Sequence, residues 1–189
     1  MAVRRIVLYA EDPDSLRVKC QSVPPVNRRT RNLIRDLKNT LVQTSDAIGL
    51  AAPQINVHSR VITVRLGGGG PDPKPGPPLA IINPDVLEAG DARRDLDGCL
   101  SFPGLYGETV RPHFLRVAGH DEEGEPFERV FTGFDAVVVH HEIDHLDGIL
   151  FIDRLEKLED LYTVVKNDRV GLEAAERKPM IPAGQKSFL

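Results

Sequence analysis

The sequence predicts a single α+β domain in which antiparallel β-sheets pack around a central helix, with an amphipathic helix closer to the N-terminus. Three observations predict it. A chain of 189 residues suits one hydrophobic core. Residues 28–44 repeat apolar side chains at helical spacing, and residues 134–146 form a second helical stretch. Between them lie several short β-prone segments, two of them joined by a turn signal, with no internal repeat and no linker.

Composition narrows the class further. With 41% hydrophobic and 28% charged residues the chain can bury a core and is not of disordered type. A net charge of −4 argues against a protein held to nucleic acid by counterion release, so no direct nucleic-acid readout is expected. The longest apolar run, residues 6–10, is five residues, against the ~20 needed for a membrane span, and it is also too short for a signal peptide. We therefore expect a cytoplasmic protein without a membrane partner, and Cys20 and Cys99 as free thiols.

In chain order, Asp12-Pro13-Asp14 opens a short turn or helix that ends before Pro24-Pro25. Asn27 is a plausible N-cap, and Leu33, Ile34, Leu37, Leu41 and Val42 then define one buried helical face. Arg28, Arg31, Arg35 and Lys38 fall on the other side, as a solvated face. Residues 59–66 read as a strand. Residues 67–78 contain five glycines and five prolines, which restricts them to a surface loop. Further strands are expected at 79–83, 113–119 and 126–131, the last two joined by a hairpin turn at Asp121-Glu122-Glu123-Gly124. Val137-Val138-Val139 alone favours a strand, but Val137, Val138, His141, Glu142 and His145 share one helical stripe, and Gly148 suits a left-handed cap. The tail from Leu155 has weaker helical patterning.

The chemistry concentrates in His141-Glu142-Ile143-Asp144-His145, an H-E-x-x-H pattern whose i, i+4 imidazoles converge on one point when helical. Two imidazoles leave a catalytic ion short of its usual third protein ligand. Candidates are Cys99, set in a Gly/Pro-bounded segment, or a downstream carboxylate such as Asp168 or Glu173. Glu142 follows a ligand directly, so it can take a proton from ion-activated water and return it to a departing amine. Asp144 could orient a ligand imidazole or make a surface salt bridge, and His140 points about 100° away from His141 on a helix. Ile48, Val137 and Val138 could wall an apolar pocket, and Gly49 permits close backbone approach.

Three segments together carry a resemblance. Gly49-Leu50-Ala51-Ala52-Pro53-Gln54, Gly98-Cys99-Leu100-Ser101 and His141-Glu142-Ile143-Asp144-His145 stand in the order and spacing of the peptide deformylases, and the chain resembles that family from Asp12 to about Leu155. The resemblance implies a metallohydrolase domain over 1–189, with 156–189 a variable C-terminal extension. It implies an ion held by Cys99, His141 and His145, Fe(II) by family preference, with Zn, Ni or Co allowed by ligand softness. It also implies Glu142 as general base and acid, Gln54 and the Leu100 N–H as donors to the formyl oxygen, and Ile48, Gly49, Val137 and Val138 around a methionine side chain. The substrate would be N-formylmethionyl nascent peptides, hydrolysed with release of formate.

Three positions depart from the family's usual residues: Ala47 for Gly, Asp97 for Glu and His140 for Gln. Asp97 is a methylene shorter, so its ion pair, with Arg111 as candidate partner, must be rearranged. Two alternatives follow: a metalloprotease using a downstream carboxylate, and a non-catalytic relative that binds peptide N-termini. Residues 166–189 carry five basic and three acidic side chains, which makes a transient ribosome contact conceivable.

Overall fold

The structure, a computed structural model, describes residues 2–69, 74–165 and 176–179. Its α-helices are α1 (Pro13–Leu16), α2 (Arg28–Gln43) and α3 (Phe134–Leu146); its strands are β1 (Gly49–Ala51), β2 (Val61–Val64), β3 (Leu79–Gly98), β4 (Leu105–His120), β5 (Pro126–Thr132), β6 (Leu161–Val165) and β7 (Glu176–Pro179). The strands form one curled antiparallel sheet in the order β1-β2-β3-β4-β6-β7, with β5 paired to the C-terminal half of β4. No helix among the described residues is long and apolar enough to cross a membrane.

Helix α2 begins at Asn27, whose side chain accepts from the Arg29 and Thr30 N–H groups and so satisfies two of the donors a helix start leaves open. Its buried face is Thr30, Ile34, Leu37, Thr40 and Leu41. The sequence reading had Val42 in this face; it is 51% exposed, because the stripe is rotated toward the two threonines. One of them, Thr40, accepts the Arg4 N–H at 2.9 Å and so has a reason to be inside.

Helix α3 starts at Phe134 and is buried almost all round, from Ala136 to Leu146 with only His140 less covered. The sheet explains this. Ile34, Leu37 and Leu41 of α2 pack on Leu50, Val61, Ala80 and Ile82. The alternate residues Ala51, Ile62, Val64 and Ile81 face Ala136, Val139, Ile143 and Leu146 of α3. Strand β2 therefore has helices on both faces, which is why all four of its residues are buried, Thr63 included, its hydroxyl donating to the Leu50 carbonyl at 3.2 Å.

Two expectations need correction. The short strands at 79–83 and 113–119 are the inner ends of much longer ones, paired from Ile82↔His120 to Gly98↔Tyr106. The outer parts of this ribbon carry charge on both faces and give no apolar alternation to read. They are held by ladder bonds and by cross-strand pairs such as Arg94 with Glu108 (3.3 Å). The register shifts after Ile82, where Asn83 turns to φ +50° and its amide exchanges hydrogen bonds with the Val23 backbone. The described part of the tail beyond Leu155 is one short 3₁₀ turn (Leu158–Asp160) followed by β6 and β7, not α-helix: residues 161–163 pair with the free edge of β4 at Leu105–Gly107.

Gly148 closes α3 with φ +71°, and a Cβ there would lie 2.8 Å from the Arg17 carbonyl carbon. Gly148→Ala should cost about 1–3 kcal/mol from the left-handed backbone alone, more with the clash. A lowered urea midpoint with unchanged slope is the expected result.

Candidate functional site

The six-residue turn between β3 and β4, residues 99–104, carries Cys99. It is closed by Phe102 N–H donating to Cys99 O (2.9 Å) and Leu105 N–H to Phe102 O (3.1 Å), and tied to the N-terminal segment by Tyr9 N–H to Ser101 O (2.9 Å). Phe102 anchors it, stacked on Tyr9 at 4.7 Å and edge-on to Phe151 at 5.2 Å. The chain so fixed turns Cys99 toward the last turns of α3.

There His141 and His145 lie one turn apart with ring centroids separated by 5.0 Å. Cys99 Sγ is 3.3 Å from His145 Nε2. One donor atom from each of Cys99, His141 and His145 lies within 4.8 Å of the others, so the three could hold a metal ion. The donor set fits one. Two ligands at the usual ~2.1–2.3 Å from a tetrahedral ion stand ~3.5 Å apart, close to the sulfur–nitrogen separation found. A thiolate with two imidazoles suits borderline-soft divalent ions. The other candidate ligands, Asp168 and Glu173, fall outside the described residues, and Glu142 is not one of the group.

Behind the ligands lies a buried charged network. Asp97 Oδ1 accepts from His141 Nδ1 at 2.8 Å, which leaves Nε2 of that ring for the ion. Asp97 Oδ2 accepts from Arg111 Nε at 2.9 Å and from Thr109 Oγ1 at 3.1 Å. Arg111, with no exposed surface, also pairs with Asp144 and donates to His140 Nδ1 at 2.8 Å. Asp144 is held in turn by Arg154 at 2.6 and 3.0 Å. Asp144 thus neither orients a ligand nor makes a surface pair: it is buried between two arginines, and Asp97 is the carboxylate that orients an imidazole. Burial opposes ionisation of Asp97, but His141 and Arg111 outweigh it and hold the carboxyl well below the usual range. Asp144 is also lowered, burial again being offset by Arg154 and Arg111. His140 is pushed down to about 4, chiefly by burial, and so accepts the Arg111 N–H as a neutral ring.

Glu142 is the exception to this pairing. It is 4% exposed, its Oε2 has no hydrogen-bond partner among the described residues, and burial pushes its carboxyl up to about 7. Gly49 makes the room: a Cβ there would fall 2.7 Å from Glu142 Cδ. Gln54, in the 3₁₀ turn Ala52–Ile55, accepts the Ala51 N–H with Oε1 at 2.8 Å and aims Nε2 at Cys99 Sγ (3.4 Å) and Ser101 Oγ (3.3 Å). The Leu100 N–H has no acceptor among the described residues. All of these border one cleft of about 550 Å³, whose apolar wall includes Ile48, Phe134, Val137 and Val138. The second cysteine takes no part: Cys20 is buried in the core against α3, and burial pushes its thiol up to about 11.

This arrangement has close relatives. The profile of polypeptide deformylase matches residues 3–161. The chain belongs to the polypeptide deformylase family. It is 40% identical to a peptide deformylase of Thermomicrobium roseum over 179 residues, covering 93% of this chain and 98% of the relative. Among solved structures it is similar to peptide deformylase from Thermotoga maritima (TM-score 0.73, 31% identity, 83% of this chain and 100% of that one). It is similar also to a Met-Ala-Ser-bound class I type b peptide deformylase from Acinetobacter baumannii (TM-score 0.73, 32% identity, 82% and 100%). The protein is accordingly a hydrolase.

The three departures from the usual deformylase residues leave the contacts of the site in place. Positive φ falls on Asp46 (+60°), not on Ala47, so the extra methyl group carries no backbone strain. Asp97, though shorter, still bridges His141 and Arg111. His140 accepts from Arg111. Sequence reasoning did not anticipate the Arg111–Asp144–Arg154 chain. Its available signal was Thr109, Arg111 and His113 at alternating positions of one strand, polar residues where an inward face is expected.

Removing Arg111 would leave Asp97 and Asp144 short of a counter-charge in the interior, so Arg111→Met should lose about 3–5 kcal/mol of stability, read by urea unfolding. The pH dependence has a definite sign. Both carboxyls have depressed folded-state pKa values, so their contribution is present above the unfolded value near ~4 and disappears as pH falls through the lower folded values. In Arg111→Met the acid-unfolding midpoint should move up.

Proposed function

We propose that the chain removes the N-formyl group from the initiator formylmethionine of nascent polypeptides, releasing formate. The observation that carries this reading is the convergence of Cys99, His141 and His145 beside a buried, unpartnered Glu142 at the inner end of an apolar cleft. Family membership supports the same reaction. The domain so assigned spans 1–189, with 156–189 as a C-terminal extension.

An ion held by Cys99, His141 and His145 supplies Lewis acidity and an acidified water; Fe(II) is our assignment, with Zn, Ni or Co as substitutes. The remaining work falls to the chain's own groups. Glu142, with a pKa near neutrality, is suited to take a proton from the attacking water and return it to the amine that leaves. The Leu100 N–H and the Gln54 Nε2 are the donors for the formyl oxygen as negative charge builds on it. Gln54 can make this bond by giving up only long contacts, at 3.3 and 3.4 Å. Ile48, Val137 and Val138 receive the methionine side chain, and the cover around Glu142 keeps bulk water from competing. Among the described residues strand β1 pairs only with β2, on one edge, so an extended substrate can run along the other beside Gly49.

The partner is therefore the formylated N-terminus of a nascent chain, in the cytoplasm. A transient ribosome contact is assigned to residues 166–189, most of which lie outside the described residues.

Formate release from formyl-Met-Ala by protein prepared without oxygen tests the function; its absence with metal bound would favour a non-catalytic relative. Glu142→Gln should keep its metal and lose at least ~10²-fold in turnover, measured by metal analysis beside the formate assay. Cys99→Ser should release the ion, and full metal content with full activity in that variant would favour a downstream carboxylate ligand. Gly49→Val should displace Glu142 and lower kcat while the metal content stays unchanged.

A further inference from the structure

We propose that His140 is a positioning residue for the metal centre. By accepting one N–H of Arg111 it fixes the guanidinium that holds Asp97, and through Asp97 the His141 ligand; the inference rests on reading Cys99, His141 and His145 as the ligands of an ion. His140 does not touch the site itself. It belongs neither to the three-residue donor group nor to the lining of the cleft. Its place on α3, directly before His141, turns it about 100° away from that ligand. What it touches is Arg111, whose Nη1 donates to the ring Nδ1 at 2.8 Å.

Arg111 has no exposed surface, so each of its N–H groups needs an acceptor inside the protein. Asp97 Oδ2 meets Nε and Nη2, at 2.9 and 2.8 Å. Nη1 serves both Asp144 Oδ2 and His140 Nδ1. Asp144 is shared with Arg154, so the cluster already sets two carboxylates against two guanidiniums. A further acceptor that carried charge would upset this balance in the interior, and a neutral imidazole does not. The consequence for the ligand comes through Nη2, which lies 3.4 Å from His141 Nδ1, the nitrogen that donates to Asp97 Oδ1 at 2.8 Å. A guanidinium moved toward that ring presses an N–H on a nitrogen that already carries a proton. One moved away draws Asp97 with it. Either displacement turns the imidazole, and the bond from Nη1 to His140, on the other arm of the fork, opposes both.

The test compares His140→Leu, which removes the acceptor at similar size, with His140→Asn, whose Oδ1 stands as many bonds beyond Cβ as Nδ1 does. Each protein is loaded with Co(II) in the absence of oxygen. The visible spectrum of the bound ion and the rate of its transfer to EDTA are then read beside a thermal melt. His140→Leu should release the ion about ten-fold faster than wild type, the scale on which partners of ligand imidazoles act, and its Co(II) spectrum should change. His140→Asn should match wild type in both. A purely structural role would lower the melting temperature of His140→Leu and leave release rate and spectrum as they were, and that result overturns the inference. Rapid release from a folded His140→Asn overturns it too, and decides the question should His140→Leu not fold. Retention of the ion is read without substrate. Wild-type protein that binds Co(II) but yields no formate from formyl-Met-Ala would therefore overturn the deformylase reading alone, and protein that takes up no ion would overturn both.

Discussion

The site depends on a buried chain of charges that joins the β-ribbon to the central helix. Asp97 is on β3, Arg111 on β4 and Asp144 on α3, with Arg154 beyond it. Buried ion pairs are poor sources of net stability, since desolvation offsets most of their attraction. What they supply here is position: each charge is tolerable only when its partner is in place. The register of the ribbon against α3, and with it the approach of the Cys99 turn to His141 and His145, is thereby restricted to one arrangement.

Within that frame the residues of the site are treated in opposite ways. The carboxylates that position other groups are surrounded by donors and stay ionised. Glu142 has no donor on Oε2 among the described residues, and burial raises its carboxyl toward neutrality. The difference is one of access, because α3 turns Asp144 toward two arginines and Glu142 toward the small residues of β1. A carboxylic acid with a raised pKa suits the proposed reaction, in which one group both takes and gives a proton. Gly49 leaves the space that this carboxyl occupies.

The legibility of the fold follows the same division between local and non-local causes. The helices could be read: Asn27 caps α2, Gly148 caps α3, and α2 carries an apolar stripe, although α3 is buried almost all round. The Asp121 turn was legible as well, and its carboxylate takes the N–H groups of Glu123, Gly124 and Glu125. The outer part of β3 was not, because residues 85–94 are exposed or half-exposed on both faces and their charged partners lie 14 to 28 positions away, as with Arg94 and Glu108 or Glu88 and Arg116. Strand β1 was also invisible, since Gly-Leu-Ala has no strand preference of its own and pairs only because β2 lies beside it.

By itself the sequence determined the chemical types: a cysteine between glycine and leucine, two histidines one helical turn apart with a glutamate between them, and a glutamine closing a small-residue segment. Residue identity and helical period are local properties, and local properties survive in a linear string. Only the tertiary structure decided which of the nearby acids does what. Asp97 orients an imidazole, Asp144 is sandwiched between arginines and Glu142 is left unpaired, because each role is set by the residues that burial and strand register bring alongside, and neither can be computed from sequence neighbours alone.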